Sequence, residues 1–170
     1  IDTVFERGGR HVRLIDTAGL RRKRRHRQGI EYWSEVRALD AAKRADVALV
    51  LVDSSEGLAD GDLSVADEAR KAGCATLVVL SKWDIATVGV DDVAERLGGK
   101  LRQRPAIVTT SAVTGRNVDR LLDAVEELFV RYVSRVGTGA LNRAMAEIGA
   151  GREPPRRGRR RLNVLYATQY

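Results

Sequence analysis

Residues 75 to 84 read ATLVVLSKWD, an apolar run that ends directly in a short polar loop. A continuous apolar run of this length is typical of a strand that is buried in a parallel sheet. Ligands of such sheets bind beyond the carboxyl ends of the strands, where Ser81 to Asp84 stand in the sequence. An aspartate at this place can accept two parallel hydrogen bonds from the N1–H and 2-amino groups of guanine, a pair of donors that adenine lacks. The stretch therefore predicts a guanine-binding loop, with Ser81 at the position where asparagine is usual.

Strand-like and helix-like segments alternate along most of the chain. The pattern predicts strands at residues 11–16, 45–53, 75–80 and 106–110, and helices at residues 31–44, 60–72, 91–101 and 117–136. Strand 45–53 is apolar almost throughout, so we expect neighbours to cover both of its faces. The alternation predicts an α/β fold with a mostly parallel sheet flanked by helices.

Two more loops follow predicted strands. In Asp16-Thr17-Ala18-Gly19, the aspartate can hold a water on Mg²⁺, and the glycine lets its N–H approach a γ-phosphate. In the loop 111–115, SAVTG, the backbone N–H of Ala112 can donate to guanine O6, an atom that adenine lacks. Either loop alone is also compatible with an ordinary turn. Three such loops in this order, each after a successive strand, favour a GTP site.

The net charge of +7 is concentrated in two clusters of basic residues. The first contains Arg21, Arg22, Lys23, Arg24, Arg25 and Arg27, and the second contains Arg152, Arg156, Arg157, Arg159, Arg160 and Arg161. Without them and the intervening Glu153, 18 basic residues face 22 acidic ones. Two cationic patches on a mildly acidic body suit a polyanion such as RNA, although a solvated loop explains an isolated arginine run equally well.

Membrane and redox signals are absent from the sequence. No run approaches the roughly 18 to 20 apolar residues that cross a bilayer, and the first residues have neither a charged leader nor a cleavage site. We therefore expect a cytoplasmic protein without a membrane partner. The single cysteine, Cys74, is expected to be a small buried thiol.

The strand and helix alternation stops after about Arg135. A helix is predicted at residues 138–148, with Gly149 as its stop, and a strand at residues 162–167. One helix and one strand do not make a domain, so this part is expected to be the opening portion of a small α/β unit.

Together the motifs resemble the translation-factor-like GTPases, and in particular the Der (EngA) family of bacterial ribosome-assembly GTPases. The resemblance rests on residues 16–57, DTAGLRRKRRHRQGIEYWSEVRALDAAKRADVALVLVDSSEG, on SKWD and SAVTG, and on the terminal RRLNVLYATQ. It implies a partial GTP-binding domain at residues 1–134, the second of two in this family, and the start of a KH-like domain at residues 135–170. Intact members bind GTP and GDP with Mg²⁺, hydrolyse GTP slowly and act in maturation of the large ribosomal subunit. The expected partners are therefore that subunit and its rRNA, and no DNA.

The resemblance also implies roles for single residues. Asp16 would make the water-mediated Mg²⁺ contact, Lys82 would lay its stem across the purine, Asp84 would pair with guanine, and Ser111 and Ala112 would close the base pocket. Leu20 stands where many small GTPases carry a water-orienting glutamine. The family resembles other potassium-stimulated GTPases in having an apolar residue at this position. For Trp83, packing against the protein is the preferred interpretation. The nucleotide-binding set is Asp16, Thr17, Ala18, Gly19, Leu20, Ser81, Lys82, Trp83, Asp84, Ser111 and Ala112, and no catalytic residue is predicted.

The chain departs from the family on the phosphate side. No G-x-x-x-x-G-K-[ST] occurs, because the only Gly-Lys pair, Gly99-Lys100, is followed by leucine and belongs to a predicted helix end. We expect a fragment that begins after the first switch and lacks the first strand, which leaves a gap in the sheet. Such a fragment would bind nucleotide very weakly and would be inactive as a GTPase. Ser81 adds a loss of about 1 to 3 kcal/mol if one of the asparagine's partners stays unsatisfied.

A second interpretation stays open. The chain would then be a noncatalytic basic interaction module that kept the scaffold of the GTP-binding domain and binds rRNA or a ribosomal partner through its arginines. The first cluster lies in what would be the second switch, where salt-sensitive contacts to rRNA phosphates are predicted. No G-x-x-G loop occurs in residues 134–170, so the resemblance alone does not imply RNA binding there.

Overall fold

The computed structural model describes residues 2–15, 40–101, 104–151, 156–157, 160–161 and 166–169. Its strands are β1 (Asp2–Arg7), β2 (Arg10–Ile15), β3 (Val47–Asp53), β4 (Ala75–Ser81), β5 (Ala106–Thr109), β6 (Arg156–Arg157) and β7 (Arg160–Arg161). Its helices are α1 (Asp60–Lys71), α2 (Val90–Lys100), α3 (Val118–Val133) and α4 (Thr138–Gly151). The chain divides into two compact units, residues 1–132 and 133–170.

Three parallel strands form the main sheet of the first unit, in the order β3-β4-β5. Val47 pairs with Ala75 at one end of the β3–β4 ladder and Asp53 with Ser81 at the other, so both strands end at the same edge. The predicted parallel sheet flanked by helices is confirmed. The bounds of the strands predicted from residue 45 onward and of the helices predicted from residue 60 onward agree with the structure of this unit to within about three residues. Most of the predicted helix 31–44 lies outside the described residues.

The central strand β4 supplies side chains to two apolar clusters, one on each face of the sheet. Val78 and Leu80 belong to the first cluster, which also contains buried residues of β3, α1 and α2. Leu77 and Val79 belong to the second cluster, against which α3 packs with Leu121, Val125 and Leu128. Because alternate residues of a strand point to opposite faces, a strand that is apolar at every position is buried on both sides.

The N-terminal hairpin was not part of the predicted fold. Strand β1 pairs with β2 in an antiparallel two-stranded sheet, and Gly8 and Gly9 form the turn with φ of 58° and 75°. Arg7 and Arg10 join the hairpin to α3, where Arg7 forms an ion pair with Asp123 and the Arg10 guanidinium lies 6.0 Å from the Phe129 ring centroid. In the described ranges the hairpin has no ladder to β3, so the prediction that residues 11–16 belong to the parallel sheet is wrong.

Strand β3 is covered less completely than predicted. Leu51 is 64% exposed, although its neighbours Val50 and Val52 are buried in the first cluster. Leu49 on the same face as Leu51 packs against the second cluster, but that cluster does not extend to Leu51. Among the described strands β3 pairs only with β4, so nothing from a strand on its other side covers this leucine.

In the second unit, two side-chain amides hold the segment 166–169. Asn142 on α4 accepts a hydrogen bond from the Ala167 N–H (2.9 Å) and donates one to the Ala167 carbonyl (2.8 Å). Gln169 makes the corresponding pair with the Val136 N–H (2.8 Å) and the Ser134 carbonyl (3.3 Å). Each amide therefore replaces a pair of backbone partners.

One sequence prediction for this unit is wrong, and another can be compared with the structure only at its end. Helix α4 continues through Gly149 to Gly151, because a single glycine lowers helix stability without ending the helix. Tyr166 and Ala167 lie outside any strand, and the rest of the predicted strand 162–167 falls outside the described residues. The assignment of residues 1–134 and 135–170 to a partial GTP-binding domain and a KH-like domain stays a prediction.

Candidate nucleotide-binding site

Backbone hydrogen bonds tie the loops after β4 and β5 together. The Trp83 N–H donates to the Thr110 carbonyl at 2.9 Å, and the Thr110 N–H donates to the Leu80 carbonyl at 2.8 Å. The loop after β3 joins them, since the Ser54 N–H donates to the Ser81 carbonyl at 3.0 Å. The structure therefore brings the two predicted base-binding loops to one edge of the sheet.

Asp84 lies in a single 3₁₀ turn, Trp83–Ile85, directly after Lys82. Its side chain is exposed, and the described residues supply no hydrogen bond or ion pair to its carboxylate. Trp83 next to it is half-buried against the first apolar cluster, as its packing interpretation predicted. The tryptophan anchors the turn, and the aspartate is left with both oxygens available to a ligand.

Lys82 is held at its backbone and at its side chain. Its φ of 54° and ψ of 39° place it in the left-handed region, which lysine rarely adopts. Its Nζ lies 2.6 Å from Oδ2 of the buried Asp53, the last residue of β3. The ammonium group and the Ser55 hydroxyl hold the pKa of the Asp53 carboxyl well below its ordinary range. Asp53 is therefore ionised at neutral pH.

The hydroxyl of Ser81 has a partner within the sheet. It donates to the Val52 carbonyl on β3 at 2.9 Å. The serine thus adds a cross-strand bond at the end of the β3–β4 ladder instead of leaving an unpaired group. A serine hydroxyl used in this way does not replace the longer amide of an asparagine, which offers two donors.

The loop after β5 is closed by its own polar groups. The buried Ser111 donates its N–H to the Arg116 carbonyl (3.2 Å) and accepts from the Thr114 N–H (3.2 Å) at its hydroxyl. Asn117 has a φ of 59° and donates from its amide to the Thr109 hydroxyl at 3.1 Å. Ala112 is exposed at the tip, and its N–H has no acceptor in the part of the chain that is described. That N–H is the group predicted to read guanine O6.

Sequence reasoning missed the contribution of the loop after β3. Asp53 holds Lys82, and the Thr87 N–H donates to the Ser54 carbonyl at 2.9 Å, which fastens the loop between Asp84 and α2. The Ser54 hydroxyl is buried and has no hydrogen-bond partner among the residues described. The available signal in the sequence was VDSS at residues 52–55, in which an aspartate ends the buried strand next to β4 and two serines follow it.

The phosphate side of the predicted site lies outside the described residues. This applies to Asp16, Thr17, Ala18, Gly19 and Leu20, and to the arginine cluster 21–27. Within the described ranges, no group of three or more His, Cys, Asp or Glu side chains is arranged to hold a metal. Nor does that part of the chain contain a helix long and apolar enough to cross a membrane.

Comparison with known proteins agrees with this arrangement of loops. The family model of the elongation factor Tu GTP-binding domain matches residues 2–131. The chain belongs to this family. Guanine-nucleotide binding is the property that the family implies.

Named relatives place the chain more closely within the family. It is 41% identical to GTPase Der of Syntrophobacter fumaroxidans, over 99% of this chain and 39% of the relative. Identity to GTPase Der of Desulforudis audaxviator is 38%, over 99% of this chain and 40% of the relative. The resemblance to the Der family is confirmed. The chain spans about 40% of the length of these curated relatives.

Solved structures share the fold at low sequence identity. The cytosolic domain of the Thermotoga maritima FeoB iron transporter in its GMPPNP form superposes with a TM-score of 0.56 and 21% identity, covering 80% of this chain and 51% of that one. Apo elongation factor SelB of Methanococcus maripaludis has a TM-score of 0.54 and 20% identity, covering 74% and 26%. At this level of identity the likeness extends to the fold only.

Proposed function

We propose that this chain is the guanine-nucleotide-binding part of a Der-like GTPase, and that the intact protein hydrolyses GTP during assembly of the large ribosomal subunit in the cytoplasm. The observation that carries the proposal is the exposed carboxylate of Asp84, which has no partner among the residues that the structure describes and lies on a loop that is bonded to the loop of Ala112. The relatives named GTPase Der support the wider role.

The base side of the site fits guanine by its donors and acceptors. Asp84 offers two acceptors to the N1–H and the 2-amino group, and the Ala112 N–H offers a donor to O6. Lys82 would supply an aliphatic stem for the face of the ring, and Ser111 holds the loop of Ala112 through its hydrogen bonds to Arg116 and Thr114. Adenine presents an amino group where guanine has O6 and no donor at N1, so both loops select against it.

The phosphate side is assigned from the sequence motif alone. Asp16 would hold a water on Mg²⁺, and Thr17, Ala18 and Gly19 would offer backbone contacts to the γ-phosphate. GTP, when bound, supplies the phosphoanhydride that water cleaves in the intact protein. Leu20 cannot polarise that water, so stimulation by K⁺ is part of the proposal. The missing G-x-x-x-x-G-K-[ST] predicts weak nucleotide affinity for this chain.

A base-exchange experiment tests the proposal. We expect ¹⁵N amide signals of the 81–84 and 110–114 loops to shift with millimolar GDP and to respond less to ADP. The Asp84→Asn variant should lose GDP and gain the xanthine diphosphate, because an asparagine amide can donate to the O2 that xanthine has in place of the 2-amino group. Asp46→Asn changes an exposed aspartate at the opposite end of β3 and serves as the matched control. Equal responses to GDP and ADP would refute the proposed function.

The hairpin β6–β7 favours RNA contact as a second function. Arg156 is in register with Arg161, and Arg157 with Arg160, so the hairpin pairs arginine with arginine at both of its register positions. Like charges placed opposite each other are unfavourable unless an anion offsets them. A polyanion such as rRNA would do so.

Salt dependence measures this second function. We expect the affinity of the chain for large-subunit rRNA to fall steeply with salt, and replacing these four arginines by glutamine to reduce the slope of log K against log[salt] by about 0.7 to 0.9 per lost phosphate contact. An unchanged slope would exclude the hairpin as the RNA contact.

A further inference from the structure

We propose that Asp53 is a positioning residue for the base site, which holds Lys82 so that its methylene stem is presented to the guanine ring. The inference rests on the proposed function, because it concerns how the same site meets its nucleotide. It assigns a role to a residue of β3, the strand that carries none of the predicted base-binding loops.

The geometry separates the two ends of the lysine. The Asp53 side chain is 4% exposed, whereas the Lys82 side chain is 58% exposed, and their charged groups are 2.6 Å apart. The ammonium group is therefore fixed at the sheet end while the stem stays open to solvent. An aliphatic stem in that position can cover the face of an aromatic ring while its charge remains paired.

The carboxylate is itself held in place. Its Oδ1 accepts hydrogen bonds from the Ser55 N–H at 3.1 Å and the Ser55 hydroxyl at 2.6 Å. Its backbone carbonyl accepts from the N–H groups of Glu56 and Gly57 at 3.1 and 2.9 Å. The Asp53 carboxylate is therefore held in one position, and the Lys82 ammonium group that pairs with it is held there too.

The backbone of Lys82 provides a second, independent sign of constraint. A non-glycine residue in the left-handed region is strained, and such residues concentrate at ligand sites, where the surrounding structure enforces them. Both the backbone and the terminal group of this lysine are thus restrained before a ligand arrives. Ordering a free lysine on binding costs affinity, and a restrained one avoids most of that cost. Loss of the anchor should lower affinity for the base by about 3- to 10-fold.

A purely structural ion pair is the competing explanation. It would stabilise the ends of β3 and β4 without regard to the nucleotide, so its loss would lower the stability of the chain and leave the GDP affinity of the folded variant unchanged. The GDP affinity of a folded Asp53→Asn variant separates the two explanations. A double-mutant cycle in that affinity then shows whether Asp53 acts through Lys82, because residues that act through one another give non-additive effects.

The experiment titrates GDP into the ¹⁵N-labelled chain and follows the loop amides. Asp53→Asn should weaken GDP by about 3- to 10-fold, and it should have little further effect in a Lys82→Ala background. The control, Asp67→Asn, removes another carboxylate that is paired with a lysine, on α1, and should leave GDP affinity unchanged. If Asp53→Asn does not fold, Ser55→Ala should give a smaller loss in the same direction, because it loosens the same carboxylate.

Each outcome decides one point. Unchanged GDP affinity in a folded Asp53→Asn or Ser55→Ala variant would overturn the positioning role and leave the proposed function standing. Additive losses in the double variant would overturn it as well, since Asp53 would then act without Lys82. A wild-type chain that does not prefer GDP to ADP would overturn the proposed function and the inference with it.

Discussion

Two leucines in the main sheet give a matched test of how the first unit is covered. Leu77 on β4 is fully buried, and Leu51 on β3 is 64% exposed. Leu→Ala removes about three methylene-sized groups, each worth about 0.8 kcal/mol when buried. For Leu77 this is about 2.4 kcal/mol of transfer free energy, and the cavity left behind brings the loss to about 3 kcal/mol. Leu51 buries only about a third of its surface, so its loss should stay below about 1 kcal/mol.

The assay is urea unfolding followed by circular dichroism, with the slope of the transition compared between variants. We expect a clearly lower midpoint for Leu77→Ala and a small shift for Leu51→Ala, with similar slopes. Equal losses for the two variants would refute the reasoning. They would show that Leu51 is covered in solution, for instance by a second copy of the chain pairing along the open edge of β3.

Three further predictions concern the backbone, a titration and the second unit. Gly57→Ala should lower the free energy of unfolding in urea by about 1 to 2 kcal/mol, because Gly57 has a φ of 80° and an added Cβ would lie 3.1 Å from a valine methyl carbon. Gly99→Ala in α2, where an added Cβ would meet no atom within 4 Å, should raise it by about 0.5 to 1 kcal/mol. The difference in unfolding free energy between the wild type and Asp53→Asn should be constant above about pH 5 and shrink below about pH 4. Folding lowers the pKa of Asp53, so the stability that its ionised form contributes is lost as protons bind at low pH. A difference that stays flat from pH 7 to pH 3 would contradict this. Asn142→Ala should speed amide hydrogen exchange at Ala167 at least about fivefold, because two hydrogen bonds are lost. Asn142→Asp keeps the acceptor and should have a smaller effect. Equal exchange rates in the wild type and both variants would count against the pairing.

Much of the main sheet could be predicted because apolar pattern and burial have the same cause. The run 75–80 is apolar at successive positions, and the strand it forms contributes to a cluster on each face. The hairpin β1–β2 was missed because its strands carry many charged residues and bury little. Gly8-Gly9 between two short strands was the available signal, since paired glycines suit the tight turn of a hairpin.

The candidate site could be proposed from the sequence only where a ligand would dictate the residue type. The proposed roles of Asp84 and Ala112 follow from the hydrogen-bonding edge of guanine. The pairing of Asp53 with Lys82 could not be predicted, because it depends on which strands become neighbours and on an unusual backbone conformation of a lysine. The exposure of Leu51 has the same origin, since an apolar strand does not record which of its edges is paired.

The burial of β4 on both faces also sets a gradient of local stability along the site. Amides in the interior of such a strand exchange only when the whole unit unfolds, whereas a largely exposed hairpin can open by itself. The proposed base-binding loop follows the most buried strand, β4, whereas β2 is one of the least buried strands. The strand that supports the proposed base site should therefore keep its hydrogen bonds while the hairpin opens, so amide exchange is expected to be slow in β4 and fast in β1 and β2.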